Sequence, residues 1–92
     1  MNELIVLKSI LKDPNIIINV DQFLDKMVAK DLISLQEEFE ARDKEGNAEK
    51  LNFAFRILVV MDPRMTSRTL RQILRDMKRD DILERLDAET LR

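Results

Sequence analysis

Hydroxyl side chains are the first candidates for chemistry in this chain: Ser9, Ser34, Thr66, Ser67, Thr69 and Thr90. A serine or threonine attacks a substrate only when a neighbouring base takes its proton. The chain has no histidine and no cysteine, so it lacks both the usual base and a thiolate. Proton transfer would fall to carboxylates, and Glu37-Glu38, Asp80-Asp81 and the pair Glu45 and Glu49 are the close sets. Nothing in their spacing places two carboxyls in distinct environments across a substrate. Polar helix faces and caps account for the same residues. DKEGNAEK, residues 43 to 50, lacks the regularly spaced oxygen ligands of a calcium loop, and a single glycine cannot build a phosphate-cradling loop. No catalytic, cofactor-binding or metal-binding residue is therefore expected, and no enzyme.

Arginine offers a different chemistry. Arg64, Arg68, Arg71 and Arg75 recur at intervals of four, three and four, which sets their charge along one side of a helix. A basic stripe can neutralise phosphates, or it can grip carboxylates through the planar guanidinium fork. The phosphate reading makes Arg64 to Arg79 the core of a small nucleic-acid-binding domain. It is disfavoured by a net charge of -2, by Gln72 as the only nearby amide for base edges, and by Asp80-Asp81 directly after the stripe. The carboxylate reading finds its counterpart within the same chain. Residues 21 to 49 carry Asp21, Asp25, Asp31, Glu37, Glu38, Glu40, Asp43, Glu45 and Glu49 against few cations. Acidic and basic surfaces on different faces would let one copy dock on another, closing a ring or propagating as a filament. A solvated, partnerless charge pattern is the bland alternative.

Helices must position these charges. The 92 residues suit one domain, 1–92, and apolar residues at 45% suffice for a core. Leu4, Leu7, Ile10 and Leu11 share a helical face behind Asn2, and Pro14 stops that helix. NIIINV, residues 15 to 20, reads either as a short extended piece or as a turn. Asn19 and Gln22 suggest a capping box before Phe23, Leu24, Met27 and Val28; Ser34 and Glu37 suggest a cleaner one. The third helix is expected to turn Leu35 and Phe39 inward and Glu37, Glu38 and Glu40 outward. Gly46 is expected to end an element and Asn47 to cap the fourth helix, an apolar run through Met61 that Asp62-Pro63 ends. Thr66 or Ser67 would cap a fifth helix carrying Leu70, Ile73, Leu74 and Met77. Asp80 would cap a sixth carrying Ile82, Leu83 and Leu86. The four phenylalanines, Phe23, Phe39, Phe53 and Phe55, are expected in the core rather than stacked on bases. The fold class is all-α, a six-helix antiparallel bundle. MNELIVLKSILKDP has neither a basic leader nor a sustained apolar segment, and no stretch approaches the ~20 apolar residues of a membrane span. A cytoplasmic protein without membrane partners is the expectation.

The order of these elements resembles the death-fold superfamily, most closely the caspase recruitment domain. FLDKMVAKDLISLQEEFE is similar to that family's second helix, turn and short acidic third helix, and EKLNFAFRILVVM to its apolar fourth. TSRTLRQILRDMKRDDILERL resembles its last two helices, and its end, KRDDILERL, is equally similar to death effector domains. The resemblance implies an adaptor module of apoptotic or innate immune signalling. Its implied partner is a related death-fold domain of a signalling protein or caspase-like protease, or another copy of itself. By position, the resemblance marks Glu37, Glu38 and Glu40 on one side and Arg64, Arg68 and Arg71 on another as contact residues.

Overall fold

The computed structural model describes residues 2–91. It is an all-α, six-helix antiparallel bundle: α1 (Glu3–Leu11), α2 (Val20–Ala29), α3 (Leu35–Arg42), α4 (Gly46–Leu58), α5 (Pro63–Asp76) and α6 (Asp80–Thr90). No strand occurs among the described residues. α1 packs on α4, α5 and α6, while α2 packs on α3, α4 and α5. Leu4, Leu7, Ile10, Phe23, Leu24, Met27, Leu51, Phe55, Leu58, Leu70, Ile73, Leu74, Ile82 and Leu86 fill the space between them. These are the positions that three- and four-residue spacing brings to one face of each helix.

The helix starts show which local signals prevail. The Asn2 side chain accepts from the Leu4 N–H, and that of Asn19 from the Gln22 N–H at 3.0 Å. Ser34 and Glu37 close a complete capping box: the Glu37 N–H donates to Ser34 Oγ at 3.1 Å and the Ser34 N–H to Glu37 Oε1 at 2.8 Å. Elsewhere the expected caps are replaced. Asn47 lies inside α4, which begins at Gly46 behind Glu45 with no side-chain cap. Gly46 has φ +81, and a Cβ there would meet nothing within 4 Å, so backbone conformation rather than crowding calls for glycine.

α4 ends at Leu58 rather than Met61, and Val59–Val60 form a turn in which Val60 is 83% exposed. Asp62 then caps α5 by accepting from the Arg64 N–H, with Pro63 in the first turn. Pro63 removes an N–H that has no partner at a helix start and supplies a helical φ, so Asp62-Pro63 opens α5 more than it closes α4. Thr66 is consequently buried inside the helix instead of capping it. α6 starts behind Arg79, and Asp80 occupies its first turn rather than the cap.

α2 and α5 end alike, without glycine. Asp31 (φ 61) and Lys78 (φ 60) take the left-handed conformation. The N–H groups of Leu32 and Arg79 then reach back to the carbonyls of Met27 and Leu74. Those bonds satisfy carbonyls that a helix end leaves open. Residues 15 to 19 of NIIINV form a loop, in which Ile18 is buried and Ile17 is 83% exposed, and Val20 opens α2.

Candidate functional site

The arginine stripe of α5 divides in two. Arg64, Arg68 and Arg75 are exposed, and none forms an ion pair among the described residues. Arg71 is turned into the molecule. Its Nε donates to Glu3 Oε2 at 3.2 Å, one terminal nitrogen to Glu3 Oε1 at 2.5 Å, and the other lies 2.8 Å from Asp87 Oδ1. The Glu3 carboxylate raises the Arg71 pKa most, with Asp87 adding to it and burial opposing. Arg71 thus ties α1, α5 and α6 together, and the expectation that it faces a partner is corrected. Arg79 is likewise occupied, by Asp81 at 2.9 Å and by the Ile17 carbonyl.

Beside the exposed arginines runs an open groove of about 660 Å³ between the start of α1 and the first half of α5. Pro63, Arg64, Ser67 and Arg68 form one wall, Asn2 and Glu3 the other, and Arg71 the end.

α3 is rotated from its expected setting. Leu35 and Phe39 are 56% and 55% exposed, whereas Glu38 is 3% exposed and Ala41 fully buried. The small Ala41 allows close approach to the neighbouring helices. Glu38 is tolerated beside it because Arg42, one turn on, pairs with its carboxylate at 2.9 Å. Arg42 also donates to the Asp21 carbonyl, fastening α3 to the start of α2. Burying a carboxylate without such a partner is costly. Glu38 therefore leaves the expected contact surface, Glu40 stays on it, exposed, and Glu37 is half-buried in its capping box. Among the phenylalanines, Phe23 and Phe55 are core, Phe53 is partly buried with Lys44 Nζ 5.1 Å from its ring, and Phe39 faces solvent.

Two ion pairs lower the pKa of their carboxyl groups. The Asp13 carboxylate accepts from the Asn15 N–H at 2.8 Å and from Arg85 at 2.7 Å, which hold its pKa below the ordinary 3.8. Arg79 does the same for Asp81. A carboxyl depressed in the folded state binds fewer protons there than in the unfolded chain, so its contribution is present above the unfolded pKa and is lost as pH falls through the folded value. Urea midpoints should accordingly stay flat near neutrality and decline below about pH 4, and Asp13→Asn should make that decline shallower. An unchanged acid limb in the variant would remove Asp13 from this role.

No family model, curated protein or solved structure matches the chain. Among the described residues, no carboxylate cluster is arranged to hold a metal ion, and no helix is long and apolar enough to cross a membrane. The six-helix bundle of about 90 residues agrees with death-fold-type architecture in general and carries no feature particular to the caspase recruitment domain.

Proposed function

We propose that this chain is a non-enzymatic interaction module that recruits a related helical domain, or further copies of itself, by setting the basic face of α5 against the acidic face of α3. The observation that carries this reading is that, among the described residues, Arg64, Arg68 and Arg75 stand exposed with no carboxylate paired to them, although Arg42, Arg71, Arg79 and Arg85 are each paired internally. α3 packs on α2 and α4, and α5 on α1, α2 and α6, so the two charged helices share α2 and otherwise have different neighbours. The resemblance to the caspase recruitment domain supports a death-fold partner on a signalling protein or caspase-like protease, in a cytoplasmic apoptotic or innate immune setting. Nucleic acid fits less well. With Arg71 and Arg79 held by carboxylates, the stretch has two fewer cations to displace counterions, and each lost phosphate contact flattens the salt dependence by about one unit.

Reversal of Arg64 and Arg68 to glutamate tests the proposal. Sedimentation equilibrium should show self-association, or capture of a related domain, weakened at least about tenfold, because like charges then face each other across the contact. Far-UV circular dichroism should be unchanged, since both side chains are exposed. Undiminished association with every such partner would exclude α5 as the contact surface.

A further inference from the structure

We propose that the outer ridge of α3 seats in the α1–α5 groove of a second copy of this chain, with Phe39 as the central contact and Leu35 beside it. This rests on the reading of α3 and α5 as opposed association surfaces, and it specifies what lies between their charges.

The ridge has the composition of a contact. Leu35 and Phe39 lie one turn apart on the same side of α3, both more than half exposed. Single exposed apolar residues are ordinary on protein surfaces, but an adjacent pair on one helix face is the pattern by which a helix docks in a groove. Gln36, Glu40, Arg42 and Asp43 border it, all exposed, and the charge of Arg42 is taken up by Glu38. The ridge cannot roll inward, because Glu38 and Arg42 fix the rotation of α3 and Arg42 is anchored on the Asp21 carbonyl. Its apolar surface is therefore left for another molecule to cover.

The groove supplies the complement. At about 660 Å³ it has room for an aromatic side chain and its neighbour. Pro63 and the aliphatic stems of Arg64 and Arg68 offer apolar wall, while the guanidinium groups can lie over the Phe39 ring or reach Glu40. Glu3, the acidic group of the groove, is already neutralised by Arg71 and does not repel the incoming ridge. Charge thus matches at the rim and apolar surface at the centre, the usual anatomy of a protein contact. The occupant is a second copy because ridge and groove belong to one chain, and the exposed ridge does not fill its own groove. Such a contact is heterologous and leaves a free ridge at one end and a free groove at the other.

Two variants separate this proposal from the reading beneath it. Leu35→Ser with Phe39→Ser removes the ridge without changing charge; Arg64→Glu with Arg68→Glu spoils the groove. In size-exclusion chromatography with light scattering, the first should self-associate about thirtyfold more weakly than the natural chain, as expected for loss of a central contact. Its far-UV circular dichroism should be unchanged and its unfolding midpoint only slightly lowered. Mixed in equal amounts, the two variants should form a one-to-one dimer and stop there, since one intact ridge meets one intact groove. Natural-strength association of the ridge variant, with loss in the groove variant, would overturn the ridge proposal while leaving the charged surfaces standing. Natural-strength association in both would overturn both. A natural chain that stays monomeric over the whole concentration range, or a mixture that forms no dimer, overturns the second-copy contact.

Discussion

Phe55→Ala should cost about 4 kcal/mol of unfolding free energy, whereas Phe39→Ala should cost less than about 1 kcal/mol. Phe55 is 1% exposed near the end of α4, and its truncation removes transfer energy and leaves a cavity that rigid neighbours only partly fill. For a domain whose total stability is about 5–10 kcal/mol, the variant would keep only a small margin. Phe39 is 55% exposed, so its ring has little burial to lose. Urea titration followed by far-UV circular dichroism reads both midpoints. Equal losses would mean that Phe39 points into the core, and the rotation of α3 described above would be wrong.

Arg71→Ala should lower stability by about 2 kcal/mol, while Arg68→Ala, three residues earlier on the same helix, should change it by less than about 0.5 kcal/mol. Arg71 holds Glu3 and Asp87 with three nitrogens, and its side chain is 22% exposed. Its removal leaves the Glu3 carboxylate partly shielded from water and without its partner; residual solvent access keeps the cost below that of a fully buried pair. Arg71→Lys should recover only part, because an ammonium cannot span two carboxylates as the guanidinium fork does. Thermal and urea unfolding of the variants decide the matter. A loss for Arg68→Ala as large as for Arg71→Ala would place both arginines inside the fold and remove the distinction on which the interaction surface rests.

These two contrasts also mark how far the sequence could be read. Apolar spacing was enough for six helices and for most of the core, because α1, α2, α5 and α6 each carry a stripe long enough to define a face. α3 has eight residues, and LQEEFEAR offers two faces of comparable merit. Which one is buried depends on how closely Ala41 lets the neighbours approach and on the help Arg42 gives Glu38, and of these only the Glu38–Arg42 spacing is visible locally. Arg68 and Arg71 illustrate a second limit. Both belong to the same stripe, but Glu3 lies 68 positions away from Arg71, and no local pattern announces that meeting. At Asp62-Pro63 the stop and start rules for proline conflict, and the cap geometry of Asp62 decides for the start. Asp31 and Lys78 ended their helices unannounced, since glycine is the residue that normally signals a left-handed closing position.

A double-mutant cycle on self-association tests the opposition of α3 and α5 most directly. Arg68→Glu and Glu40→Lys are made singly and together, and each dissociation constant is measured by sedimentation equilibrium at one ionic strength. If Glu40 of one copy faces Arg68 of the next, each single variant associates about tenfold more weakly and the doubly reversed chain recovers most of the loss, giving a coupling energy above about 1 kcal/mol. Additive losses, with the double variant the weakest of the three, would contradict the account.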